Sequence, residues 1–248
     1  MARIGAAALP ERNAMLRSSM SDLLRELEIL ALDCQAGGAT PAHGDLLELG
    51  WTVCSAAREP GSVHSNWIVP RTDRRVPRPI RELTGWSEAC VADAIDERAA
   101  WDALCKECRR VVRNGASRAP TAIHFARFEL GFLRDLHQRF ASDEDFPFEA
   151  ICLHAIAQRL FPDLPRRNIR ALAGYLGHSP ELMRRSAGHV EATAFICRAL
   201  VPVLEQAGIG TWTELSDWLG RAAPISRGTK RVYPLAPGRR RALPSGSG

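Results

Sequence analysis

No stretch of the 248 residues reads as long and apolar enough to cross a bilayer, so a membrane span is not expected. The opening residues, MARIGAAALPERNAMLRSS, contain no apolar core followed by a small-residue cleavage site, and the expected setting is cytoplasmic. An even set of cysteines is also missing. Seven are present, most of them inside apolar segments (Cys34, Cys54, Cys90, Cys152, Cys197), which suits small buried hydrophobes in a reducing compartment rather than a disulfide framework. The one CxxC, Cys105 with Cys108, lies in a helical stretch and has no second Cys/His pair to complete a zinc site. Acidic residues are absent from the C-terminal tail, where Arg221, Arg227, Lys230, Arg231, Arg239, Arg240 and Arg241 gather. With a net charge of +5, that tail is compatible with a polyanion partner.

At 46% hydrophobic and 25% charged residues, the remainder has the makeup of a folded domain with a full core. Its organising stretch is Leu27 to Thr52. Leu27, Ile29, Leu30, Ala31 and Leu32 form a run apolar on both faces, which predicts a central strand covered on two sides, with Asp33 at its C-terminal tip. A carboxylate there must be paired, hydrogen-bonded or holding a metal if it is buried, although an acid opening a Gly37-Gly38 turn is the simpler reading of the residue alone.

Further strands are predicted over 46–53 and 63–69, making an antiparallel meander with the first, and over 121–126 and 148–153. Helices are predicted over 96–113, 128–140, 154–160, 169–176 and 180–206, with a soft spot at Ser186-Ala187-Gly188, and a capped amphipathic helix is predicted over 211–219. Three strands followed by strands alternating with helices make an α/β layer structure.

Four segments, in this order, resemble the DEDDh branch of the ribonuclease-H-like 3′–5′ exonucleases, the family of the proofreading epsilon subunit of bacterial DNA polymerase III. LDCQAGGATPAHGDLLELGW resembles the first motif, Asp-x-Glu-Thr-Thr-Gly followed by an Ile-Glu-Ile-Gly strand. IRELTGW resembles the linking Ile-x-x-Leu-Thr-Gly-Ile turn, HFARFELGFL the second motif, and RRSAGHVEATA the third. The resemblance runs from about Leu27 to Leu204 and implies a five-stranded mixed sheet, three antiparallel strands then two more, flanked by helices. It divides the chain into an arm (1–22), an exonuclease-like domain (23–206), a docked C-terminal helix (207–220) and a basic tail (221–248), the tail resembling the linker that leads into an endonuclease module in multidomain relatives.

That family holds two divalent metals with four carboxylates and uses a histidine as general base. Here the first Asp is Asp33, the Glu two residues later is Gln35, the second-motif Asp is Glu129, the general-base His falls on Arg184 and the last Asp falls on His189. Gln35 keeps an oxygen but loses a charge, Glu129 is one methylene longer, and Arg184 cannot act as a base but can clamp a phosphate. The resemblance therefore implies catalytic positions Asp33, Gln35, Glu129 and His189. It implies one divalent ion rather than two, Mn²⁺ or Mg²⁺, on Asp33, Glu129 and His189, and nucleic-acid contacts from His124, Arg127, Arg184 and Arg185. His124 also reads as a core-edge histidine bonded to backbone. Two functions follow: a divergent exonuclease acting on single-stranded DNA or RNA 3′ ends in replication or repair, or an impaired exonuclease-fold module that binds nucleic acid or a replication or repair protein.

Overall fold

The computed structural model describes residues 22–112, 116–178 and 183–221. The N-terminal arm and the tail beyond Arg221 lie outside the described residues, as do their expected roles.

The sheet has five strands: β1 (Ile29–Ala36), β2 (Leu46–Cys54), β3 (His64–Trp67), β4 (Ala119–Ile123) and β5 (Phe148–Cys152), in the order β3-β2-β1-β4-β5. β1 pairs antiparallel with β2 and parallel with β4, and β4 pairs parallel with β5. The predicted mixed sheet with its antiparallel meander is present.

Alternation along β1 explains why its apolar run has no polar face. Ile29 and Ala31 join one core cluster and Leu30, Leu32, Cys34 and Ala36 join another on the opposite side. The first cluster is covered by α4 (Leu153–Leu160), α5 (Ile169–Tyr175), α6 (Ser186–Gln206) and α7 (Trp212–Gly220). The second lies under α2 (Glu97–Val111) and α3 (Ala126–Phe140). A short α1 (Arg78–Thr84), ended by Gly85 at φ 77°, and a 3₁₀ turn (Glu88–Asp93) connect β3 to α2.

Asp33 is not at the tip of β1, as the apolar run alone suggested. The strand continues to Ala36 because β2 holds it as far as Ala36↔Leu46, whereas its pairing with β4 stops at Leu32↔Ile123. Asp33 and Gln35 therefore stand beyond the end of β4, on the carboxyl edge of the parallel strands and on the face that carries α6. The turn back to β2 needs two glycines: a Cβ on Gly38 would sit 2.6 Å from the His43 carbonyl oxygen, and one on Gly44 would collide with the backbone of Gly37 and Gly38.

α6 crosses β1 and β2 with its first turn over Gly50, the residue opposite Asp33. A Cβ there would lie 2.7 Å from Ser186 Oγ and 3.1 Å from Val190 Cγ2, so the close approach requires glycine. α6 also corrects the reading that no segment is long and apolar enough to span a bilayer. Its 21 residues qualify by length and composition, with half of the most apolar window buried in the fold and Val190, Ile196 and Leu200 in the core. α7 caps its own start through Thr211 and Glu214 and buries Trp212 and Leu215 in the α6 cluster.

Candidate active site

Asp33, 5% exposed, meets His189 on the second turn of α6, Oδ1 to Nδ1 at 3.2 Å. The other ring nitrogen, Nε2, lies 3.1 Å from the Met183 carbonyl oxygen. A carbonyl only accepts, so Nε2 carries a hydrogen and donates it, and the Asp33–Nδ1 contact is closed by one proton shared between carboxylate and imidazole. Burial raises the Asp33 carboxyl above its ordinary range, while the bond and charge of His189 hold it down in part. Burial alone would lower His189, but the bond to Asp33 and its charge outweigh that and the net shift is upward.

Glu129 sits in the first turn of α3 and is 4% exposed. Burial, then the Asp33 charge, pushes its carboxyl well above the usual value. Gln35 donates from Nε2 to the Arg184 carbonyl oxygen at 2.8 Å. Among the described residues, each of these is left with one buried oxygen that has no hydrogen-bond partner: Asp33 Oδ2, Gln35 Oε1 and Glu129 Oε2. Unpartnered buried oxygens are costly, and three oxygen donors, two of them acidic, suit a hard divalent cation. The expected ligand set of Asp33, Glu129 and His189 does not converge as it stands: among the described residues no three His, Cys, Asp or Glu side chains are arranged to hold an ion. Both His189 ring nitrogens are already engaged, which leaves Gln35 as the third oxygen donor.

The arginines are placed differently from one another. Arg184 and Arg127 have exposed side chains, one before α6 and one in the first turn of α3. Arg185 lies over the Trp67 ring at 4.2 Å and donates from Nε to Glu48 Oε1 at 2.7 Å. Glu48 is not among the site residues that the sequence motifs point to. It is 0% exposed and also accepts from Ser65 Oγ at 2.7 Å and from the Ser186 backbone N–H at 2.9 Å. Arg185 gives α6 no side-chain cap, so Glu48 serves as its N-terminal acceptor from the neighbouring strand and places an anion at the positive end of the helix. The signal available was a single acid inside the apolar strand Leu-Leu-Glu-Leu-Gly.

His124, expected at the nucleic-acid groove, is 3% exposed and donates from Nε2 to the Arg167 carbonyl oxygen at 2.9 Å, while its neighbour Phe125 stands at the surface. Burial lowers the His124 pKa to about 4, the nearby His154 and His189 adding to the shift and the bond to Arg167 opposing it. Its unfolded value lies above its folded one, so its contribution is complete above pH 6.5 and is lost as pH falls through about 4. His124→Gln, which keeps a donor, is expected to flatten the stability–pH slope between those values. Urea midpoints across that range check this, and an unchanged slope would contradict it.

No protein-family model matches this chain, and no curated protein matches it by sequence. Solved structures do match by fold. Escherichia coli exonuclease I in complex with a dT13 oligonucleotide superposes with a TM-score of 0.60 at 14% identity, over 74% of this chain and 43% of that one. Exonuclease X in complex with 5′ overhanging duplex DNA gives 0.54 at 19% identity, over 78% and 99%. A zinc-bound form of the E. coli exonuclease I complex with single-stranded DNA gives 0.56 at 15%, over 78% and 42%. The chain thus spans less than half of exonuclease I and nearly all of exonuclease X. The ribonuclease-H-like fold, a five-stranded mixed sheet flanked by helices, is shared with these exonuclease structures.

Proposed function

We propose that this chain is a divergent metal-dependent 3′–5′ exonuclease, related to the DEDDh branch that includes the epsilon subunit, acting on single-stranded DNA or RNA 3′ ends in replication or repair in the cytoplasm. The observation that carries the reading is the trio of unpartnered buried oxygens on Asp33, Gln35 and Glu129, beyond the end of β4 in a fold shared with exonucleases. These three residues would hold one divalent ion, Mn²⁺ or Mg²⁺. When bound, such an ion polarises a phosphoryl oxygen and acidifies a water. His189 is the proton partner of Asp33: it holds a proton at Nδ1 and keeps it when Asp33 is drawn into carboxylate form. Arg127 and Arg184 contact backbone phosphates, while Arg185, held by Glu48, orients the loop that carries Arg184.

A second reading has one observation in its favour. The proton shared by Asp33 and His189 supplies positive charge where the family resemblance calls for a metal, which suits a binding module for nucleic acid or a replication or repair protein. Digestion of a 3′-labelled single-stranded oligonucleotide separates the two. Asp33→Asn should lower release by about 10³-fold or more, the size of losing roughly 4 kcal/mol of transition-state stabilisation. Release that survives Asp33→Asn would contradict the exonuclease reading, and binding without release selects the module.

A further inference from the structure

The edge that carries Asp33 also carries an exposed ring with no role so far. Phe125, in the link from β4 to α3, is 47% exposed, whereas most large apolar side chains of the sheet and its covering helices are buried. It is not loosely attached. Its ring stacks on His154 with centroids 4.6 Å apart and planes 25° from parallel, and His154 is fixed by its backbone N–H donating to the His124 carbonyl oxygen at 3.1 Å. His154 lies in the first turn of α4, directly after β5, so the two rings form a shelf at the carboxyl ends of the parallel strands. Glu129 follows Phe125 by one helical turn on α3, and the exposed Arg127 lies between them. An aromatic face held rigid and open to solvent, beside an arginine and next to a phosphodiester-directed site, has the chemistry that stacks an unpaired base.

We propose that Phe125, backed by His154, is a stacking platform for one unpaired nucleobase of the bound strand. This rests on the nucleic-acid reading above. The platform is sequence-tolerant, since every base offers a π-face, and it selects single strands because a paired and stacked base cannot lie on it.

The test is fluorescence-anisotropy binding, in EDTA so that no cleavage intervenes, of oligo-dT and of a series with a single abasic residue walked inward from the 3′ end. For unmodified protein, the abasic residue at one position should weaken binding by about 10-fold, within the range of roughly 5- to 150-fold that one stacked base supplies. Phe125→Ala should lose the same factor on oligo-dT and become indifferent to the abasic residue at that position, and Phe125→Trp should restore both affinity and sensitivity. An unchanged thermal midpoint in Phe125→Ala assigns the loss to binding. If unmodified protein binds oligo-dT but Phe125→Ala binds the whole series equally well, the platform is overturned and the nucleic-acid reading stands. If unmodified protein binds none of the oligonucleotides, both fall.

Discussion

Gln35→Glu combined with His189→Asp is expected to raise the rate of 3′-nucleotide release by about 10²-fold or more, the equivalent of roughly 3 kcal/mol of added transition-state stabilisation. Gln35 Oε1 is buried with no hydrogen-bond partner among the described residues, so the change to Glu adds a charge with little change of shape. His189 ties up Asp33 Oδ1 through a shared proton, and removing the imidazole frees both Asp33 oxygens while supplying a carboxylate from α6. The two changes belong together and should not be additive. Gln35→Glu alone brings a further negative charge beside Asp33 and Glu129, two carboxyls already raised by burial, and should destabilise the metal-free protein. Initial rates on a 3′-labelled oligonucleotide in Mn²⁺ or Mg²⁺ are the readout. A folded double variant with no gain would show that charge at these positions is not what limits the site.

Glu48→Ala should lower unfolding stability by about 2–4 kcal/mol, below the full value of a broken buried ion pair because the Arg185 side chain is 46% exposed and regains water. The loss is larger than that of a surface ion pair because the removed carboxylate also accepts from Ser65 and from the first backbone N–H of α6. The same change should reach the site, since the start of α6 sets where His189 meets Asp33. Glu48→Gln keeps an acceptor for Ser186 and should lose about half as much. Urea unfolding measures both, and a Glu48→Ala midpoint equal to that of the unmodified protein would contradict the assignment.

Much of the architecture is legible in residue order because the apolar periods are strong. The run from Leu27 to Leu32 predicts a covered central strand, whereas the last long helix, expected from 180 with a soft spot at Ser186-Ala187-Gly188, begins only at Ser186, which puts His189 in its opening turns. What was not legible depends on partners far along the chain. An acid is a poor strand former, so Asp33 reads as a terminus, yet β2 carries the strand three residues further. Nothing near Glu48 in the sequence accounts for its burial, because the N–H it accepts from belongs to α6, 138 positions later. His189 was expected to be a ligand from chemistry alone. Its orientation is fixed by the Met183 carbonyl oxygen, a backbone contact that side-chain identity does not encode. Phe125 falls between two residues of a recognisable motif and is informative only because it is exposed.

On the function proposed, Asp33, Gln35 and Glu129 still support phosphodiester hydrolysis with one weakly held ion. A site short of negative charge favours the divalent ion with the higher intrinsic affinity and the less rigid geometry, which is Mn²⁺ over Mg²⁺. The direct measurement is nucleotide release from a 3′-labelled single-stranded oligonucleotide by the unmodified protein in Mn²⁺, Co²⁺, Mg²⁺ and EDTA, with binding followed in parallel. The account predicts stepwise 3′ shortening that is faster in Mn²⁺ than in Mg²⁺ and absent in EDTA. Undiminished binding with no release in any of the three ions would contradict it.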